Sequence, residues 1–248
     1  MSTTRSPSHA APATERALVL ISHGSPSDPD PQEAFIRSLA DEVSRGTGIT
    51  VRGATLAAEG ALGAAVSGLS APVIFPHFMS DGWFVSVNLP KRLRAAGLVD
   101  WQMCAPLGLT RGLAEMAAEE LRAKMAEHAL PIGETTLVLA AHGSPSDPRP
   151  ARATQSFADA LASGGFFADV RVGYVDEAPA LSKAATVKGP AIVLPFFAAR
   201  AGHVLMDVSD ALDEAGFEGP VLEPIGTWAG IPRLIAQSVL SIDRVDAA

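Results

Sequence analysis

A fifteen-residue stretch near the start of the chain returns almost unchanged in its second half. ALVLISHGSPSDPDP, Ala17 to Pro31, recurs as TLVLAAHGSPSDPRP, Thr136 to Pro150. The offset is 119 residues, the separation of His23 and His142. At that offset Val51 meets Val170, Leu62 meets Leu181, Pro76 meets Pro195, Phe78 meets Phe197 and Val85 meets Val204. Pro106 and Gly108 meet Pro224 and Gly226 one residue short of it, so a single indel separates the halves. Self-similarity at so long a period is the mark of a duplicated folding unit. Whatever fold one half adopts, the other must adopt too.

Each half alternates apolar runs with amphipathic stretches. Ala17–Ser22 is short, apolar and branched, and a Gly/Ser/Pro/Asp loop ends it, as a buried strand would. Gln32–Ser44 carries Phe35, Ile36, Leu39 and Val43 at helical spacing. Thr50–Leu56 and Pro72–Pro76 read as strands, with a short helix from Glu59 between them. Phe84–Ala96 then predicts a helix, Trp101–Ala105 a strand and Thr110–Ala129 a helix. The second half repeats the order from Leu137 to Leu240. Strands alternating with helices imply parallel sheets with right-handed crossovers. The expected fold is α/β: two tandem lobes, each a roughly four-stranded parallel sheet flanked by helices. Residues 1–16 read as a disordered polar leader, 17–130 as the first lobe and 131–248 as the second. The division falls near LPIGE, Leu130–Glu134, where Pro and Gly stand between a helix and a strand.

Composition limits the functions open to such a chain. Apolar residues make up 48% of the 248 and charged residues 19%, enough for real cores. A net charge of -8 argues against nucleic-acid binding, which needs a basic surface. No apolar run reaches the ~18 residues of a membrane span, and the leader lacks a signal-peptide core. A cytoplasmic protein without membrane association is expected. With one cysteine and six histidines, a metal site must combine few imidazoles with oxygen ligands. No Walker A or dinucleotide Gly pattern occurs, so no organic cofactor is expected. A duplication can replace a homodimer, which leaves both a monomer and a homodimer open.

In open parallel sheets, ligands bind beyond the carboxyl ends of the strands. His23 and His142 stand there, each in an HGS loop where Gly admits a close ligand and Ser144 or its counterpart can orient the ring. A lone strand-end His is more often structural; its duplication raises the functional reading. His203, in the AGHV loop after the strand Ala191–Phe197, emerges at the same edge as His142. Two imidazoles there can converge on one ion. The matching first-half residue is Phe84, with Trp83 beside it, and the pair suits an apolar wall. His77 reads better as a residue packed under the cleft. Asp176 and Glu177 after Val170–Val175 offer a carboxylate; the first half has Ala57 and Ala58 there. Charge at a helix N-terminus explains the two acids equally well. Arg149 replaces Asp30, and Arg200 replaces Asp81, in the ligand loops. Both arginines suit an acidic ligand, although surface drift is the simpler account.

These residues resemble the sirohydrochlorin chelatase family, the CbiX/SirB type of small cobalto- and ferrochelatases. The likeness rests on strand–HGS in each half, on PFF…GHV with Asp207 following, and on Asp/Glu-Ala-Pro between them. It implies two similar α/β lobes around a tetrapyrrole cleft. It implies His142 and His203 as metal-handling residues, with Asp176 or Glu177 assisting. His23 is then a relic or a contributor across the cleft. The implied activity is insertion of Co²⁺ or Fe²⁺ into sirohydrochlorin or a related tetrapyrrole; Ni²⁺ suits the same ligands. Arg149, Arg152 and Arg200 would meet the substrate's carboxylates. The departure is Phe84 in place of the second first-half His. A non-catalytic metal or tetrapyrrole carrier is therefore the alternative. Hydrolases fit poorly, since no GxSxG elbow occurs. A histidine phosphatase would want Arg before the strand-end His, where Ser22 and Ala141 stand.

Overall fold

The computed structural model describes residues 17–200 and 202–245, with the side chains of 202–204 and 242–245 outside the description. The leader, residues 1–16, also lies outside the described residues.

The first lobe runs β1 (Leu18–Ser22), α1 (Asp30–Thr47), β2 (Val51–Thr55), α2 (Ala61–Val66), β3 (Val73–Pro76), α3 (Leu89–Ala95), β4 (Gln102–Met103) and α4 (Leu113–Glu127). The second runs β5 (Thr136–Ala141), α5 (Pro148–Ser163), β6 (Asp169–Tyr174), α6 (Leu181–Ala185), β7 (Ala191–Pro195), α7 (Gly202–Ala215) and α8 (Ile231–Val245). All strand pairs are parallel, in the orders β2-β1-β3-β4 and β6-β5-β7. The α/β architecture expected from the repeat is therefore present, as two sheets of four and three strands. No described helix is long and apolar enough to cross a membrane.

Among the described residues the second sheet has no fourth strand where one was expected, and one residue explains it. In the first lobe Gln102 donates its N–H to Pro72 and Cys104 donates to Ile74, which fixes β4 beside β3. Pro220 occupies the place of Gln102 and has no N–H to give. Leu222 still donates to Val193, so the strand shrinks to one bridge, Val193 to Val221.

The strand pattern divides the molecule into layers. Side chains alternate across a sheet, so Leu18 and Leu20 of β1 face one way and Val19 and Ile21 the other. Val19 and Ile21 pack with Leu62, Val66, Leu89 and Leu93 of α2 and α3. Val138 and Ala140 pack likewise with Leu181, Val208 and Leu212 of α6 and α7. The opposite faces share one core. Leu18, Leu20 and Phe75 join Leu137, Leu139 and Leu194 through Ile36 and Leu39 of α1, Leu121 of α4, Phe157 of α5 and Ile235 of α8. The helices α1, α4, α5 and α8 thus form a common layer between two sheets. Such a shared core holds the strand ends of both lobes in a fixed relation.

The central strands β1 and β5 carry the HGS loops. β1 lies between β2 and β3, and β5 between β6 and β7, so the chain leaves each central strand to one side and returns on the other, and each loop opens at a topological switch point, where a crevice forms.

Candidate functional site

One cavity of about 710 Å³ collects the strand ends of both lobes. His23, His142 and Ser144 line it, together with Trp83, Phe84, Phe78 and Phe197. Its volume falls in the range of small-molecule sites.

The second-lobe loop is built around two acidic residues with separate tasks. Asp176 continues β6, and its N–H donates to the His142 carbonyl at 2.9 Å. Its carboxylate then reaches His142 Nδ1 at 3.0 Å. A carboxylate on Nδ1 assigns the proton to that nitrogen and leaves Nε2 with its lone pair. Glu177 works one residue further on. Its Oε1 accepts the Ser144 N–H at 3.0 Å. Its side chain also covers Gly143, where φ is +77° and a Cβ would come within 2.7 Å of Glu177 Cγ. Only glycine fits there without strain. The sequence left the two acids undivided; the geometry gives Asp176 the imidazole and Glu177 the loop backbone.

The first-lobe loop keeps the backbone and loses the carboxylate. Ala57 donates its N–H to the His23 carbonyl at 3.0 Å, as Asp176 does to His142. Ala57 has no carboxylate to offer, and His23 Nδ1 turns instead to the Gly24 carbonyl at 2.8 Å. The Phe84 ring stands edge-on to His23 with centroids 4.3 Å apart, and Trp83 stands edge-on to Phe84 at 5.2 Å. Trp83 is 51% exposed and Phe84 40%, an apolar surface open to the cavity. Partly exposed aromatic rings at a cleft can make ligand contacts.

The arginines sit elsewhere. Arg149 lies outside the cavity lining and is held by Asp147, by the Asp81 carbonyl and by Ser86. Its hydrogen bonds draw the Asp147 carboxyl down to about 2. Arg200 is exposed and pairs with Glu223 in its own lobe at 2.7 Å. Both guanidinium groups, expected to meet an acidic ligand, are engaged by protein partners in this structure. Arg152 also lies outside the cavity lining.

His203 falls in the first turn of α7, beyond the end of β7, and β7 pairs with β5. Its side chain lies outside the described residues, so its expected meeting with His142 does too. Among the described residues, no group of three or more His, Cys, Asp or Glu is assembled as a metal cage.

Sequence reasoning missed Asp147 altogether. It caps α5 by accepting the Arg149 N–H at 3.0 Å and also lines the cavity. The Asp-Pro start of α5 was a usable signal, since Asp favours the N-cap and Pro the first turn. Phe78 and Phe197 were visible only as matched repeat positions.

His77 is buried, as expected of a residue packed under the cleft. Its Nε2 donates to the Ala198 carbonyl of the other lobe at 2.7 Å, and burial lowers its pKa from 6.5 to about 4. The unfolded chain takes up this proton near pH 6.5, and the native state resists until about pH 4. Stability is therefore whole above pH 6.5 and falls as pH drops toward 4, by about 3 kcal/mol for this group. Urea unfolding at pH 7 and pH 5 should reveal the loss. His77→Phe, which imports the matched residue Phe196, should flatten it. An equally steep loss in the variant assigns the effect to other groups.

Two tandem lobes of parallel sheet, with strand-end histidines around a shared cleft, define a chelatase-like protein. The CbiX family model matches residues 17–124 and again 136–241. The chain belongs to the CbiX family. It is 36% identical to the protein described as "CbiX, the terminal Enzyme for Biosynthesis of Siroheme in Denitrifying Bacteria", over 91% of this chain and 99% of that one, with a TM-score of 0.84. Bacillus subtilis SirB with Fe³⁺ shares the fold, at 14% identity over 92% and 95% of the chains and a TM-score of 0.72. DR2241 from Deinococcus radiodurans, a multi-domain protein described as similar to chelatases, matches at 24% identity and a TM-score of 0.73, over 91% of this chain and 54% of that one. A search of curated proteins gives no match.

Proposed function

We propose that this protein inserts Co²⁺ or Fe²⁺ into sirohydrochlorin or a close relative, using the second lobe to handle the ion and the first to hold the macrocycle. The observation that carries this reading is His142, oriented by Asp176 and opening on a cavity whose far wall is aromatic. A CbiX homologue at 36% identity is described as the terminal enzyme of siroheme biosynthesis, which supports the substrate class.

The chemistry exchanges one divalent ion for two protons. The macrocycle lies against Trp83 and Phe84, and its pyrrole N–H groups face the second lobe. Neutral imidazole suits Co²⁺, Fe²⁺ and Ni²⁺ alike, so the ligands alone do not choose among them. His142 Nε2, with His203 as the further second-lobe ligand, holds the ion until the ring nitrogens take it; His23 faces the same cavity as an auxiliary contributor from across the cleft. Once the ion leaves, Nε2 is a free base. Asp176 on Nδ1 holds the ring in place, so that Nε2 can accept one released pyrrole proton while the other passes to solvent. Arg200 directly follows the cavity-lining Ala199, and its guanidinium, once released from Glu223, would be free to meet a substrate carboxylate.

Asp176→Asn should lower turnover by roughly 10- to 100-fold, the usual effect of losing a partner that orients a metal-handling His. Steady-state insertion kinetics check it, and wild-type turnover in the variant would give the orienting task to another residue.

The test of the function is to mix the purified chain with sirohydrochlorin and a Co²⁺, Fe²⁺ and Ni²⁺ panel. The macrocycle absorption should shift faster than in the protein-free control for at least one metal. Bound macrocycle with no acceleration would instead identify a carrier, the reading that Phe84, Ala57 and Ala58 in the first lobe favour.

A further inference from the structure

We infer that Arg149 is a positioning residue: it braces the Trp83–Phe84 wall of the first lobe against the His142 loop of the second, rather than contacting the substrate. This rests on the reading of the cavity as a macrocycle cleft.

The geometry is a strut with both ends fixed. At the second-lobe end, Asp147 grips the guanidinium with both oxygens: Nε at 2.9 and 3.1 Å and Nη2 at 2.7 Å. Asp147 is itself held at the start of α5, five residues after His142. At the first-lobe end, Arg149 Nη1 donates to the Asp81 carbonyl at 2.9 Å and to Ser86 Oγ at 2.8 Å. Those two anchors bracket Trp83 and Phe84. Ser86 closes the turn by donating to the Gly82 carbonyl at 3.1 Å. The Trp83 N–H also helps to keep the Asp147 carboxylate ionised. Gly82 sits so near that a Cβ there would lie 3.5 Å from Asp147 Oδ2. One planar cation thus joins the aromatic wall to the metal-handling loop. The segment it fixes, Phe84–Asn88, is a π-helical turn, a form seen mostly as single turns at functional sites.

Among the described residues, the other mouth of the cleft shows no matching brace. Asp30 replaces Arg149 there, and Arg200 replaces Asp81. Among the described residues, the cross-lobe bond at Arg200 is a longer one, Gln32 Nε2 to the Arg200 carbonyl at 3.3 Å. Four donors of Arg149 are already engaged, whereas a substrate clamp needs its fork open. A fork of this shape is also something lysine cannot imitate.

The strut predicts behaviour that a substrate clamp does not. Acrylamide quenching of Trp83 is measured without ligand, its signal isolated by subtracting matched W83F proteins. R149M, R149K and D147N should each make Trp83 easier to quench than in wild type. Each should also weaken equilibrium binding of metal-free sirohydrochlorin by roughly three- to tenfold, a modest loss typical of partly exposed polar contacts. S86A removes one anchor with little risk to folding and should move both readouts less, in the same direction. D147N separates the two ideas most sharply. Losing a negative charge would strengthen a direct contact to an acidic ligand, whereas it loosens the strut. Unchanged Trp83 quenching in R149M and D147N overturns the inference. So does R149K binding like wild type while R149M loses affinity in a salt-dependent way. Failure of the wild-type protein to bind sirohydrochlorin contradicts the proposed function, and the quenching comparison still decides the strut.

Discussion

Replacing His142 with Ala should cut metal insertion by roughly 10²- to 10³-fold, the scale of a lost acid–base and ligand group. His142 is the strand-end imidazole that a carboxylate orients, and it opens on the shared cavity. Its counterpart His23 lines the same cavity, but its Nδ1 bonds the Gly24 carbonyl rather than a carboxylate, and its ring stands edge-to-face with Phe84. His23→Ala should therefore lose less. Stopped-flow or steady-state insertion assays on both variants decide the ranking. Equal losses would mean that both lobes handle the ion, and near wild-type turnover in His142→Ala would remove it from the chemistry.

The second large effect is structural and lies at Gly108. A Cβ there would land on the backbone carbonyl of Met79, and no rotamer change relieves a clash with backbone. The approach exists because the Gly108 N–H donates to the Phe78 carbonyl at 3.0 Å. Gly226 repeats the arrangement with Phe197 and Ala198 in the second lobe. Gly108→Ala should lower Tm by about 5–10 °C, as expected for an overpacked site in a chain of this size. It should also disturb Met79 and the loop that leads to Trp83. A thermal melt by circular dichroism tests this. An unchanged Tm would mean that the 78–83 loop yields easily, and the fixed-wall picture would fail with it.

The fold was legible because duplication doubles every signal. Two copies of an apolar run ending in HGSPSDP place two strands and two loops at once. The apolar alternation of β1, with Leu18 and Leu20 on one face and Val19 and Ile21 on the other, is all that layering requires. The missing fourth strand of the second sheet was written in Pro220, but the meaning of that proline depends on its partner Pro72–Gln102 in the other lobe. The site was legible in part. The backbone bond from residue 176 to His142 continues the β5–β6 register, and that register decides which of two adjacent acids reaches the ring. Periodicity alone does not resolve one residue. The hydrogen bonds of Arg149 were not legible for a different reason: its partners Asp81 and Ser86 lie in the other lobe, far off in sequence. His77 likewise gained its role from Ala198 across the interface.

The direct measurement is a cobalt-edge X-ray absorption spectrum of the full chain loaded with Co²⁺, taken for wild type and His142→Ala. One ion per chain, with imidazole scattering that the variant loses, is what a single ion-handling lobe requires. Saturation at two ions per chain, or an unaltered imidazole signal in the variant, would show that the ion is held elsewhere.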